Sequence, residues 1–170
     1  GVLAHPEPYG KLFHQGLILG QDGNKMSKSV GNVVSPDIVI EAYGADSLRL
    51  FEMFLGPLEA VKPWSEKGIE GVHRFLRKVN RECLRKDKHL LGEETDKETL
   101  RLLHETILKV TEAVEDLRFN VGISQMMIFA NHMQKVENYS VESAKTLLQL
   151  LAPFAPHLAE ELWEKLGGSP

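Results

Sequence analysis

A single cysteine stands among the 170 residues. Alone, Cys83 excludes an internal disulfide and fits a reducing compartment, and its helical spacing marks it as a small core residue. No apolar run approaches the length of a membrane span. Gly1-Val2-Leu3-Ala4-His5 has neither a basic leader nor an apolar core, so a cytoplasmic protein with no membrane partner is expected. The histidines and acidic residues fall into no metal-ligand spacing, and no protein-bound metal is expected. With 42% apolar and 26% charged residues, the chain can bury one main core with a smaller unit appended to it.

Two regimes follow along the chain. Gly16-Leu17-Ile18-Leu19-Gly20 reads as a short strand entering a tight turn at Asp22-Gly23, with residues 25–29 as the return arm. Ser35-Pro36 starts a helix that Gly44 stops, and a second helix runs from Ala45 to about Leu55, before Gly56-Pro57. Residues 1–63 thus form a mixed α/β remnant. From Trp64 onward the pattern is helical. Ile69, Val72, Leu76, Val79 and Cys83 recur at steps of three and four, and Leu100, Leu103, Ile107, Val110, Val114 and Leu117 do the same. Thr95-x-x-Glu98 has the form of a capping box, and Asn120 is placed to cap a third helix through Met126, Met127, Ala130 and Met133. Two more, Ser140 to Leu151 and Pro156 to Leu166, complete an antiparallel bundle of about five helices over residues 64–170. The methionines and Trp163 are expected in the core, and Trp64, at the junction, partly exposed.

The chemistry concentrates at Lys25-Met26-Ser27-Lys28-Ser29. Two lysines and two hydroxyls on a short loop suit a polyphosphate: ammonium groups neutralise phosphate oxygens, and hydroxyls and loop amides add donors without bulk. This pentapeptide resembles, letter for letter, the nucleotide loop of the class I aminoacyl-tRNA synthetases. The flank from Pro36-Asp37 to Tyr43-Gly44-Ala45-Asp46-Ser47-Leu48-Arg49-Leu50 is similar to the subgroup charging leucine, isoleucine and valine. Phe51 to Glu59, Trp64, Gly68, Gly71 and Arg74-Phe75-Leu76 most resemble its leucyl branch. Arg118-Phe119-Asn120, Leu151 to His157 and Glu160-Glu161-Leu162-Trp163 resemble landmarks of the anticodon-binding helical domain.

The resemblance implies a mainly α chain, the C-terminal remnant of a Rossmann-type catalytic domain followed by that bundle. It also implies the activation of leucine by ATP with Mg²⁺ and its transfer to tRNA(Leu). Lys25 and Lys28 would be the catalytic cations, Lys28 first, and residues 25–29 the contact to the ATP phosphates. The family's other nucleotide signature, His-Ile-Gly-His, has no counterpart near any of the seven histidines. The expectation is therefore a piece of an enzyme, inactive without upstream catalytic and editing portions. A stand-alone RNA-binding module and a helical protein-interaction subunit are the alternatives.

Charge is uneven. The chain is net −4, yet residues 64–90 carry eight Lys/Arg against four Asp/Glu, and residues 91–120 four against eight. Arg74, Lys78, Arg81, Arg85 and Lys88 fall at three- and four-residue steps and would share one helix face. Such a row suits the phosphates of an RNA, or equally a solvated face with i,i+4 partners; the resemblance directs it, with Arg49, toward tRNA. Asp46 is expected to cap its own helix, and His157 to pack or cap in the first turn of its helix.

Overall fold

The computed structural model describes residues 9–90 and 96–169. Seven helices and four two-residue strands follow in the order β1 (Ile18–Leu19), α1 (Pro36–Tyr43), α2 (Ala45–Phe54), β2 (Lys62–Pro63), α3 (Glu66–Cys83), β3 (His89–Leu90), α4 (Lys97–Glu115), α5 (Phe119–Lys135), β4 (Tyr139–Ser140), α6 (Val141–Leu151) and α7 (Pro156–Lys165). None of the described helices is long and apolar enough to cross a membrane.

The α1–α2 pair forms where the residues direct it. Ser35 is extended before proline at the first helical position, and Gly44, at φ 85°, turns the chain between the helices. The expected hairpin is only partly built. Asp22-Gly23 turns and Leu19 bridges Lys25 in antiparallel fashion, but the strand partner of β1 is β2, parallel to it, with Ile18 opposite Lys62 and Leu19 opposite Pro63. A parallel pair needs a crossover, and α1 and α2 supply it. Gly16 makes the approach possible: its amide donates to the Leu58 carbonyl at 2.6 Å, and a Cβ there would sit 2.1 Å from the Ala60 carbonyl oxygen.

The bundle α3–α7 shares its core with α1 and α2. Val39, Leu50, Phe51 and Trp64 join Val72, Leu76, Val79, Ile123, Met126, Phe129, Met133, Leu147, Leu151 and Phe154 in one buried cluster. Phe51 meets Trp64 edge-on at 5.0 Å, and bare Gly68, where a Cβ would lie 2.6 Å from the Phe51 ring, lets α3 settle on that ring. The two tryptophans exchange the expected roles. Trp64 is buried, while Trp163 is half-buried, its Nε1 donating to the Ser169 carbonyl at 2.8 Å under the Lys145 ammonium.

The α3 stripe is buried as its spacing requires. On α4 the buried face is rotated from expectation: Thr99, Leu102, Leu103, Thr106, Val110 and Ala113 face inward, and Val114 is exposed. The reason is polar and steric complementarity with α5. Thr99 Oγ1 bonds His132 Nε2 at 2.7 Å and Gln125 Nε2 donates to Thr106 Oγ1 at 3.1 Å, so two threonines are satisfied inside. Ala113 opposite Gly122 allows the close approach. The cap of α4 is Asp96, whose carboxylate accepts from the Thr99 amide at 2.7 Å; Thr95, of the expected capping box, lies outside the described residues. Asn120 lies within the first turn of α5, and Arg118 holds the cap position instead. Asp46 caps another helix than its own: Oδ2 accepts from the Leu158 amide of α7 at 2.7 Å and Oδ1 meets His157 Nδ1 at 2.8 Å.

Candidate functional site

Lys25 and Lys28 are both exposed and form no ion pair among the described residues. The backbone beneath them is well fixed. Lys25 continues the antiparallel bridge to Leu19. The amides of Val30 and Gly31 both donate to the Ser27 carbonyl, at 3.2 and 3.1 Å, closing a turn that Gly31 completes at φ 77°. Met26 is half-buried and packs on the core cluster, which pins the middle of the loop to the fold. Ser27 and Ser29 share a hydrogen bond between their hydroxyls at 2.7 Å. Two charged arms thus rise from an ordered base, and charge that has no internal partner is available to an anion.

Sequence reasoning missed two side chains of this base. Asn32 Oδ1 accepts from the Ser27 amide at 2.8 Å, and Nδ2 donates to the Lys25 carbonyl at 3.3 Å and to both carboxylate oxygens of Asp22 at 3.2 Å. Asp22 Oδ1 also accepts from the Asn24 amide at 3.1 Å. The Asn24 amide and side chain, then Asn32, hold the Asp22 carboxyl below its ordinary value. The signal available in the sequence was the pairing of Asp-Gly before the loop with Gly-Asn after it.

The expected basic row breaks at the end of α3. Arg74 and Arg77 are exposed and carry no ion pair among the described residues; Lys78 donates to Asn131 Oδ1 of α5. Arg81 turns Nε and Nη2 onto Glu82 Oε1, both at 3.0 Å. These four cations, with Gly71, Phe75, Asn80, Met127, Asn131 and Gln134, line a groove of about 740 Å³ between α3 and α5. Arg85 lies beyond the helix and pairs with Asp87 at 2.7 Å. Lys88 departs furthest from expectation. It is buried, and its Nζ donates to the carbonyls of Met133, Gln134 and Val136 at 3.2, 2.9 and 2.8 Å, closing the C-terminal end of α5 with Glu82 4.0 Å away. The row fails because the helix ends at Cys83 and the chain turns inward toward β3. Arg49 donates to the Pro153 carbonyl at 3.1 Å, tying α2 to the corner between α6 and α7.

Cys83 is fully buried and its thiol is pushed up to about 12, first by burial and then by the Glu82 carboxylate, so it stays protonated. Among the described residues no group of three histidine, cysteine or acidic side chains is placed to hold a metal.

Residues 2–62 match the family model for class I tRNA synthetases (I, L, M and V), and residues 96–170 that for the anticodon-binding domain of tRNA ligases. A leucine–tRNA ligase of Bdellovibrio bacteriovorus is 51% identical over 99% of this chain, and one of Pelodictyon phaeoclathratiforme 53% identical over 98%. The chain spans 21% of the length of each. A LeuRS–tRNA–LeuAMS ternary complex of Agrobacterium radiobacter K84 superposes over 98% of this chain and 24% of its own, with a TM-score of 0.83 and 31% identity. Methionyl-tRNA synthetase of Mycobacterium tuberculosis shares the fold over 88% of this chain and 37% of its own, at a TM-score of 0.69 and 19% identity. With a loop of the class I signature, a helical bundle of the anticodon-binding kind and half of its residues shared with leucine–tRNA ligases, the chain belongs to the leucyl-tRNA synthetase family and corresponds to about a fifth of such a protein.

Proposed function

We propose that this segment supplies the nucleotide loop and the tRNA-holding bundle of an ATP-dependent leucine–tRNA ligase acting in the cytoplasm, with residues 1–63 and 64–170 as its two working parts. The observation that carries the reading is the pair of exposed, unpaired lysines on a hydrogen-bonded base. In the reaction, a carboxylate oxygen of leucine attacks the α-phosphorus of ATP, the bond to the bridging oxygen of the β-phosphate breaks, and pyrophosphate leaves. A hydroxyl of the terminal ribose of tRNA then displaces AMP from the adenylate. Lys28, and secondarily Lys25, meet the charge that grows on the leaving pyrophosphate. They act electrostatically and move no proton, so their contribution falls on the transition state more than on ATP binding. Ser27 and Ser29 shape the loop. Mg²⁺ enters with ATP as part of the substrate.

The groove of Arg74, Arg77, Lys78 and Arg81 faces the tRNA backbone in this reading. Lys88 and Arg49 serve the fold, since their donors are engaged by main-chain carbonyls. The test is single-turnover adenylate formation in the intact enzyme. Lys28→Ala lowers the rate by on the order of 10²–10³ with a smaller change in ATP affinity, and Lys25→Ala lowers it less. An unchanged activation rate in both variants would overturn the assignment.

A further inference from the structure

Lysine side chains are long and lose rotamer freedom when they engage a phosphate. If the main chain beneath them were also free, ordering it would raise the cost of the transition state further. Asn32 removes that freedom. It lies outside the lysine–serine pentapeptide, yet one carboxamide holds both an amide, that of Ser27 at 2.8 Å, and a carbonyl, that of Lys25 at 3.3 Å. Those two groups flank Met26, so the segment leading into Lys28 is gripped at both ends. Serine is too short for this span, and aspartate has no donor for the Lys25 carbonyl. Asp22 fixes the carboxamide in turn, accepting Nδ2 on both oxygens at 3.2 Å. Gly20 leaves the room for the pair: a Cβ there would lie 2.7 Å from Asp22 Oδ1 and 3.0 Å from Asn32 Nδ2.

We infer that Asn32, oriented by Asp22 over Gly20, is the positioning residue of the nucleotide loop, setting the main chain from which Lys25 and Lys28 reach the phosphates. The inference rests on the proposed role of the lysines in adenylate formation. Because the network is largely solvent-exposed, its loss falls on geometry more than on the fold.

A double-mutant cycle in the intact enzyme tests this. Asn32→Ala and Asn32→Asp each lower the single-turnover rate of adenylate formation about 10- to 100-fold, with the KM for ATP changed several-fold less and the midpoint of urea unfolding unmoved. Asp22→Ala behaves alike, while Asp22→Asn keeps an acceptor for Nδ2 and retains most of the rate. In a background lacking both amines, Lys25→Ala with Lys28→Ala, Asn32→Ala costs no more than about twofold, because the groups it positions are already gone. Independent losses that multiply, or a wild-type rate in Asn32→Ala, overturn the latch while leaving the role of Lys28 intact. An unaltered rate in Lys28→Ala itself overturns both.

Discussion

Lys88 shows how far one side chain can depart from the role its spacing suggests. As the last member of a basic row it would face solvent; in the fold its ammonium satisfies three carbonyls at the end of α5 and stands 4.0 Å from Glu82, whose Oε2 is buried with no hydrogen-bond partner among the described residues. Removing the charge strands the carbonyls and leaves the buried carboxylate with Arg81 as its one cationic partner among the described residues. Lys88→Ala should therefore cost about 2–4 kcal/mol in urea unfolding, and Arg85→Ala far less, because the side chains of Arg85 and its partner Asp87 both reach solvent. A Lys88→Ala loss no larger than that of Arg85→Ala would remove the structural role.

Asp22 carries a pH statement whose sign follows from its bonds. Its carboxyl lies below the ordinary value of 3.8 because donors from Asn24 and Asn32 favour the charged form. A group depressed in the folded state adds stability above its unfolded pKa, near ~3.9, and loses it as pH falls through the lower folded value. The loop base is thus insensitive to pH across the neutral range. In an NMR titration the Asp22 carboxyl carbon should show a midpoint below ~3.9, and the Ser27 amide shift should stay flat from about pH 5 to 8. A carboxyl midpoint at or above ~3.9 would contradict the hydrogen-bonded state.

At the scale of elements, the α4–α5 turn carries the one described non-glycine residue at positive φ, Leu117 at 58°. Its amide donates to the Val114 carbonyl and that of Arg118 to the Ala113 carbonyl at 2.7 Å, so this left-handed residue ends α4 and reverses the chain into α5. A Cβ in that conformation costs roughly 1 kcal/mol. Leu117→Gly relieves the strain and loses the contacts of a half-buried side chain, a net change of about 1 kcal/mol or less in either direction. Leu117→Val keeps a side chain, adds a β-branch and should destabilise by about 1–2 kcal/mol. Equal stability of the valine and leucine forms would argue against the left-handed turn.

The same turn marks where the sequence stopped being legible. Periodicity placed the helices, because an apolar stripe has no other way to be buried, and Ser35-Pro36, Gly44 and Ser140 marked boundaries by local chemistry. Periodicity could not orient α4. Thr99 and Thr106 read as polar and turn inward, because their hydroxyls find His132 and Gln125 on α5, and no pattern within α4 encodes those partners. The tryptophans were exchanged for a like reason: Trp64 fills the space beside Phe51, a contact between elements. At the loop, the lysines announced themselves by composition. Asn32 and Asp22 did not, since their role depends on a turn at Gly31 that brings residue 32 back beneath residues 25 and 27.

Across the whole molecule, the loop-bearing end and the bundle are fastened together. Asp46 caps α7, Arg49 holds the Pro153 carbonyl, and Phe51 and Trp64 pass the core from α2 into α3. The basic groove between α3 and α5 is thereby held in a fixed relation to the lysine-bearing loop, which the proposed function, with tRNA gripped at one place and reacting at another, would require. Under the proposed function, the phosphate backbone of tRNA is the partner of this groove. Four cations on exposed or half-buried stems, with Asn131 and Gln134 among them, form a field more than a set of base-reading pairs. Each cation that neutralises a phosphate adds about one unit to the slope of log affinity against log salt. Replacing Arg74, Arg77 and Lys78 with alanine should therefore flatten that slope by about two to three units and weaken different tRNAs alike. Arg81 is left in place because its removal would strip the buried Glu82 of a partner and mix stability into the result. The measurement is tRNA binding by the intact enzyme, wild type and triple variant, between about 50 and 200 mM salt, where phosphate-driven binding changes strongly. Identical slopes would return these residues to a solvated face. A selective loss for tRNAs of one anticodon would instead mean that the bundle reads bases.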